Sequence, residues 1–469
     1  MTELFWVLVH SFNVTVILYF LLLNTFYLGT TFFAYRALRK YALRLKTLDL
    51  ERFLRTGGAP PITLISPAFN EEPTLEEAVR SLLSLNYPDF EVLICNDGST
   101  DRTLEVLTEV FNLEPADRIP MGDIPTALVR RTYRSRRYPN LWVLDKENGG
   151  KADALNAGIN FCRSALFCAM DADTILERDS LLRIVRPFLE DSRTVAAGGI
   201  IRIANGCTIR KGHVEKVGIP SNYLARFQVL EYLRAFLSGR MGWEAIDATL
   251  IVSGAFGIFE RSLVVEVGGY STNTVGEDME LVVRLHRHCR ENKIPYKIGF
   301  VPDPVAWTEC PETLTVLARQ RDRWQRGLLE SLLRHWVMFL NPRYGRLGFL
   351  AYPYFFLLEL IGPSVEFLGY ISFLVTLLAG RASTLYALAF LGVAIVLGIV
   401  LSISAVALEE LTFRRYPRMR DLVLLFGIGV VENFGYRQLN TLWRVRGTIS
   451  GLLGKQGWGV MTRRGFDAP

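Results

Sequence analysis

The sequence predicts a membrane-bound α/β protein: a soluble domain with a mostly parallel sheet, flanked by transmembrane helices and by amphipathic helices at the bilayer surface. Three observations predict it. Half of the 469 residues are apolar and the mean hydropathy is +0.21, yet 21% are charged, a mixture that suits a soluble domain tied to membrane segments. The long apolar stretches lie towards the two ends of the chain. Between residues 60 and 310, short apolar runs bounded by turn residues alternate with helical spacing of Leu, Val and Ala, the rhythm of strand–helix–strand units. Disorder, collagen and disulfide scaffolds are excluded by the same composition.

From Leu4 to Tyr35 there is no Asp, Glu, Lys or Arg, which at about 1.5 Å per residue more than crosses a hydrocarbon core of about 30 Å. Arg36, Arg39, Lys40, Arg44 and Lys46 follow; because positive charge stays cytoplasmic, residue 36 is expected inside and the N-terminus outside. Glu3 stands where a signal peptide would carry basic residues, so residues 1–40 read as a retained anchor. Towards the other end, Arg346 to Arg381 is apolar but broken by Pro353, Glu359, Pro363 and Glu366. Ala382–Leu408 is free of charge, and Leu422–Tyr436 is short and holds Glu432. Three simple crossings in this block (347–440) would place the basic tail (441–469, with Arg444, Arg446, Lys455, Arg463 and Arg464 against Asp467) outside, against the positive-inside rule. Either the first stretch crosses twice or the third is re-entrant.

The soluble block, 58–312, opens with strands expected at Ile62–Ser66, Glu91–Cys95, Leu141–Leu144 and Leu166–Met170, with helices at Thr74–Leu85 and Ala152–Phe161. In open α/β sheets ligands bind at the carboxyl ends of strands, and the polar clusters stand there. Strand one ends in Ser66-Pro-Ala-Phe-Asn-Glu-Glu72. Strand two ends in Asn96-Asp-Gly-Ser-Thr-Asp101, which is also good turn chemistry with Ser99 or Thr100 capping the next helix. Asp171-Ala-Asp173 follows strand four. In an extended segment residues i and i+2 point the same way, and two carboxylates so placed suit Mg²⁺ or Mn²⁺ completed by diphosphate and water; a helix cap and a solvated turn is the plainer alternative. Asn148-Gly-Gly-Lys151 opens a helix and can cradle phosphate, without the spacing of a nucleotide P-loop. Gly276-Glu277-Asp278 offers a general base, although acids at a helix start are favoured by the dipole alone.

Gln320-Arg-Asp-Arg-Trp-Gln-Arg-Gly327, amid Arg319, Arg334, Arg343 and Arg346 and many Leu, reads as a basic amphipathic interfacial segment, 313–346, with arginines at lipid headgroups. The run Arg130–Arg137 reads as a solvated loop, and no motif supports nucleic-acid binding. The net charge is only +6. Cys95, Cys162, Cys168, Cys207, Cys289 and Cys310 form no C-x-x-C pair, and the five His offer no zinc spacing; they suit buried free thiols in a reducing compartment.

Taken in order, the clusters resemble the membrane-bound family 2 glycosyltransferases with a GT-A domain, above all the processive hyaluronan, chitin, cellulose and poly-N-acetylglucosamine synthases. The resemblance runs from about Pro60 to Gly327, and Q-x-x-R-W is its most specific element. It implies that Asp97 binds the uridine of a UDP-sugar, with Ala68 and Glu72 in the same pocket. It further implies that Asp171 contacts the diphosphate, Asp171 and Asp173 serve the metal (Mg²⁺ or Mn²⁺), and Lys151 approaches the donor phosphates. Asp278 matches the catalytic base, with Gly276 in place of the usual Thr. Gln320, Arg323 and Trp324 match the motif framing the diphosphate and the acceptor end of the glycan.

The implied activity is inverting transfer from UDP-N-acetylglucosamine or UDP-glucose to a growing β-glycan, coupled to export across the plasma membrane, with the catalytic domain cytoplasmic. Membrane lipid and an accessory export subunit are the further partners. Single transfer to a lipid acceptor, or a non-catalytic sugar-nucleotide-binding protein, are the competing readings. The pattern departs from many synthases in having one N-terminal span, and from bacterial cellulose synthases in the short stretch after the membrane block. Glu359 and Glu366, seven apart, either line a polar export path or pack against Arg.

Overall fold

The computed structural model describes residues 2–45, 58–416, 418–455 and 457, so Lys46, Arg463, Arg464 and Asp467 lie outside the described residues. The chain forms two compact units, one α/β (Lys40–Ser221 and Thr249–Cys310) and one helical (Met1–Arg39, Asn222–Ala248 and Pro311–Gly459). Residues 222–248, inside the expected 58–312 block, therefore pack with the helical unit. The helices used below are α1 (Thr2–Leu45), α2 (Leu75–Leu83), α3 (Thr103–Phe111), α4 (Lys151–Phe161), α5 (Tyr223–Leu233), α6 (Glu277–Glu291), α7 (Leu314–Arg334), α8 (Leu347–Leu378), α9 (Thr384–Thr412), α10 (Met419–Val431) and α11 (Tyr436–Leu452).

The α/β unit carries β1 (Ile62–Ala68), β2 (Phe90–Asp97), β3 (Leu113–Pro115), β4 (Val129–Ser135), β5 (Leu141–Lys146), β6 (Leu166–Ala169), β7 (Thr174–Leu176) and β8 (Thr194–Ile203). A small hairpin, β9 (Thr208–Arg210) and β10 (His213–Lys216), follows, then β11 (Gly257–Glu260) and β12 (Lys297–Thr308). Ten strands form one sheet in the order β3-β4-β5-β2-β1-β6-β11-β8-β12-β7. The block β5-β2-β1-β6 is parallel throughout, while β4, β11 and β7 run against the other strands. The four expected strands are present, and β2 and β5 each run on past the expected end to Asp97 and Lys146. That extension carries Asp97, Asp145 and Lys146 to the sheet's carboxyl edge.

Helix α4, expected at Ala152–Phe161, is buried on every side after Lys151. Its small residues let it lie flush on β1 and β2: a Cβ at Gly158 would stand 2.2 Å from Ile65 Cγ2. The polar residues on this helix take up backbone groups of loops. Asn156 bonds both N–H and C=O of Tyr270, and Asn160 those of Ile124, which removes the cost of burying an amide. The Arg130–Arg137 run is not a loop. It forms most of strand β4, which lies between the short edge strand β3 and β5, paired antiparallel to β5 with Arg134 opposite Trp142, and the Arg134 guanidinium lies 5.3 Å from the Trp142 ring. Arg130, Arg131 and Arg134 face solvent while Thr132 and Tyr133 are half covered, so no clean two-residue alternation marks the strand in the sequence.

In the helical unit, α1, α8 and α9 are long and apolar enough to cross a membrane. Helix α8 is one run and not a double pass. It bends at Ile361, just before Pro363, which has no N–H for the Glu359 carbonyl and so opens the ladder. The freed carbonyls are taken from outside: Arg444 Nη2 donates to Glu359 O (2.6 Å), Gln325 Nε2 to Leu360 O (3.1 Å), and Tyr19 Oη to Leu357 O (2.8 Å). Glu359 itself pairs with Arg444 (3.1 Å) and accepts from Tyr27 and Tyr354, so of its two readings the ion pair is the observed one; Glu366 accepts from Tyr370. Helix α10 has 13 residues, about 20 Å, too short for a crossing. The acid that follows it, Glu432, pairs with Arg234 and accepts from Ser402.

Helix α11 packs directly on α7. A Cβ at Gly447 would lie 2.7 Å from Asp322 O, and one at Gly451 2.7 Å from Leu329 Cδ2. The arginines of α7 do not all face headgroups, as an interfacial helix would require. Arg321 is buried on Glu231 of α5 (2.7 Å), and Arg326 is buried on Asp322 (2.9 Å) and on the Lys455 carbonyl. The pattern of charges on one helix cannot reveal an acid arriving from a segment ninety residues away.

Candidate active site

Three loops meet at the carboxyl edge of β1, β2 and β5. Asn70, at φ +55°, turns the chain after β1; its Oδ1 accepts from the N–H of Thr100 (2.8 Å), and its own N–H donates to Ser99 Oγ (3.1 Å). Neither Ser99 nor Thr100 caps α3. Asp101 does so in effect, with Oδ1 accepting from Thr103 N (3.0 Å) and Oδ2 from Glu72 N (3.3 Å). Glu72 accepts from Arg102 N, and Ala68 is fully buried at the end of β1. The hydroxyls are thus spent on clasping the β1 loop to the β2 loop.

Asp97, at the end of β2, is buried and points beneath the glycine turn. Its Oδ1 accepts from Gly149 N (3.0 Å) and from Lys146 Nζ (2.5 Å), and its Oδ2 from Gly150 N (2.8 Å). Lys146 is 0% exposed. It spends its three N–H groups on Asp97, on Asp153 Oδ1 (2.6 Å) and on the Glu147 carbonyl (2.6 Å). Burial pulls its pKa down, but Asp153 and Asp97 more than offset this and hold it above the usual lysine value. Neither Lys146 nor Asp153 was singled out from the sequence; the available signal was a lysine at the end of a buried strand, just ahead of paired glycines. Gly150 has φ +88°, a conformation open to glycine, and it starts α4 so that Lys151 is the first helical residue.

Lys151 Nζ lies 2.6 Å from Asp171 Oδ1 and 3.2 Å from Glu277 Oε1. Burial disfavours its charge, yet Asp171, Glu277 and Asp278 together raise its pKa well above the ordinary value. Asp278, one residue into α6, is oriented by two amides: Oδ2 accepts from Gly254 N (2.9 Å) and Oδ1 from Met279 N (2.8 Å). Gly254 lies so close that a Cβ there would be 3.0 Å from Lys151 Nζ. Gly254 is a further member that no motif in the sequence marks, and Glu277 comes with the Gly276-Glu277-Asp278 cluster.

Asp171 and Asp173 do not share an extended segment. β6 stops at Ala169 and the chain turns, with Thr174 N bonded to Asp171 O (3.2 Å), so Asp171 is partly open while Asp173 is buried. Among the described residues no three or more His, Cys, Asp or Glu converge as a closed metal cage. Two hard carboxylates without such a cage fit an ion that keeps most of its shell for phosphate oxygens and water.

Gln320, Arg323 and Trp324 belong to the helical unit. At spacing i, i+3, i+4 they share one side of α7; Gln320 is buried, while Trp324 is 44% exposed with the Arg321 guanidinium 4.2 Å from its ring.

Helix α6 is anchored two turns beyond Asp278 by buried His286. Its Nε2 donates to Thr249 O (2.8 Å), and Nδ1 accepts from Tyr296 Oη (2.8 Å), which Arg290 also contacts. Burial pulls its pKa down to about 4. An unfolded chain takes up this proton below about pH 6.5, so the stability that neutral His286 supports is present above that pH and is lost as pH falls towards 4, by about 3 kcal/mol. The unfolding midpoint of the wild type should drop over this window more steeply than that of His286→Gln; parallel curves would show that His286 does not set the slope.

The chain matches the family model described as Glycosyl transferase family 2 over residues 63–263 and that described as Glycosyl transferase family group 2 over residues 166–401. Two proteins named poly-beta-1,6-N-acetyl-D-glucosamine synthase, from Staphylococcus aureus (strain COL) and Staphylococcus epidermidis, are 30% and 28% identical over 274 residues. The match covers 58% of this chain and 56% of each relative, about half of their length. A solved structure, the mannosyltransferase PcManGT from Pyrobaculum calidifontis in complex with GDP-Man and Mn2+, shares the fold with a TM-score of 0.56 at 17% identity, over 92% of this chain and 100% of its own. The second family model spans half of the chain, and the strands, turns and acids described above fall within the two matches; the chain belongs to the family 2 glycosyltransferases and carries their GT-A fold.

Proposed function

We propose that this glycosyltransferase moves a sugar from a UDP-sugar to a growing β-linked polysaccharide, with inversion, processively and coupled to export. The observation that carries the reading is the gathering of Asp171, Glu277 and Asp278 around the Lys151 ammonium at the carboxyl edge of the parallel strands. Two acid segments and one cation at a strand edge suit a diphosphate donor. The names of the Staphylococcus relatives favour UDP-N-acetylglucosamine over UDP-glucose as donor.

In this reading Asp278 takes the proton of an acceptor hydroxyl as its oxygen bonds to the anomeric carbon. The bond from that carbon to the diphosphate oxygen breaks on the opposite face, and UDP leaves with the electron pair. Gly254 N–H and Met279 N–H aim the carboxylate. Lys151 offsets charge developing on the diphosphate. Asp171 and Asp173 would hold Mg²⁺ or Mn²⁺, which supplies Lewis-acid stabilisation of the leaving group. Ala68, Glu72 and Asp97 bound the nucleotide pocket, with Asp97 holding its glycine floor. On α7, Trp324 offers an exposed ring for an acceptor sugar, with Gln320 and Arg323 beside it.

The reading places the catalytic unit in the cytoplasm and the chain in the plasma membrane. Crossings by α8 and α9 return the chain to the side it left, and α10 is too short to cross again. The basic residues of α11 then stay inside, as the positive-inside rule asks.

Membranes containing the protein, given each UDP-sugar singly with Mg²⁺ or Mn²⁺, are expected to release UDP with UDP-N-acetylglucosamine and to build a long polymer. A single lipid-soluble adduct would replace the polymerase reading with single transfer. No release with any donor, in membranes that bind UDP, would sink the catalytic reading.

A further inference from the structure

We propose that Lys151 is an internal counter-ion that keeps the D-x-D carboxylate from taking a divalent ion until a nucleoside diphosphate arrives, so that nucleotide and metal enter as a pair. The inference rests on the metal reading above and adds an order of events to it. Asp171 is the more open of the two D-x-D acids, and its Oδ1 is held by Lys151 Nζ at 2.6 Å. The same ammonium lies 3.2 Å from buried Glu277 and within the field of Asp278, so one positive charge is shared among three acid positions.

Its place is rigidly set. Lys151 opens α4 directly after Gly150, whose N–H is fixed by buried Asp97. The absence of a side chain at Gly254 leaves the room that Nζ occupies. A divalent ion on Asp171 would stand a few ångströms from this ammonium, and at that range like charges in a partly buried site repel by more than a tenfold change in affinity. A diphosphate changes the balance, because its oxygens give the ammonium another anionic partner and give the ion further ligands. Reciprocity then requires that the metal raise nucleotide affinity by the same factor.

The test uses the purified full-length protein in detergent, with Mn²⁺ binding followed by loss of the free-ion paramagnetic resonance signal, with and without UDP. Wild type is expected to bind Mn²⁺ about tenfold or more weakly without UDP than with it. Lys151→Gln should strengthen Mn²⁺ binding in the absence of UDP by about tenfold and shrink the effect of UDP, while Lys151→Arg, which keeps the charge, should behave as wild type. Unfolding midpoints of the three proteins establish that the site is intact. Equal Mn²⁺ affinity of wild type and Lys151→Gln without UDP would overturn the counter-ion and leave the metal reading standing. No Mn²⁺ binding even with UDP would overturn both.

Discussion

Replacing Asp278 by Asn is expected to lower kcat by two to four orders of magnitude while leaving UDP affinity within about twofold and the unfolding midpoint unchanged. The carboxylate is held by Gly254 N (2.9 Å) and Met279 N (2.8 Å), both of which donate. An amide oxygen can still accept from Gly254, so the loop stays in place and only the capacity to take a proton is removed. Steady-state UDP release, UDP titration and thermal unfolding on the same preparation separate the three quantities. A variant that keeps more than a tenth of wild-type kcat would remove Asp278 from the role of base. A parallel loss of UDP binding would instead make it part of the donor pocket.

The second large effect is expected at a residue that touches no substrate. Lys146→Met should destabilise the α/β unit by about 3–5 kcal/mol, because it leaves Asp97 and Asp153 buried against each other without their cation. In a domain of this size that is a fall of about 10 °C in the unfolding midpoint. The Km for donor should rise as well, since Asp97 fixes the amides of Gly149 and Gly150 and through them the start of α4. Adding Asp153→Asn to Lys146→Met removes one of the stranded charges and should recover about half of the lost stability. If the double variant is no more stable than the single one, the lysine acts through packing rather than charge.

Much of this site was legible in the sequence because its residues are local to strand ends. Asp97, Lys151, Asp171, Asp173 and Asp278 each stand within a few residues of a strand or helix terminus, and turn chemistry marks those places. Their partners were not legible. Lys146 looked like the residue after a strand, and Glu277 like a helix-start acid. The Arg130–Arg137 run reads as a loop in the sequence because strand pairing leaves little trace when so many of the residues are charged. In the helical unit, the arginines of α7 suggested headgroups, whereas Arg321 finds Glu231 and Arg326 finds Asp322.

The class of fold, the apolar helices, and the order of the acidic and glycine clusters along the chain can all be read from the residues alone. These follow from periodicity and composition, which act over a few residues at a time. What no local pattern carries is that Asp97, braced by Lys146, holds the glycine turn while Lys151 gathers the acids. The tertiary structure also decided that segment 222–248 joins the helical unit, that α8 is a single bent helix, and that its open carbonyls are taken by Arg444 and Gln325. The pairing of those carbonyls is a contact between distant segments, made because a buried charge or an unpaired backbone group costs several kcal/mol until some other part of the chain supplies a partner.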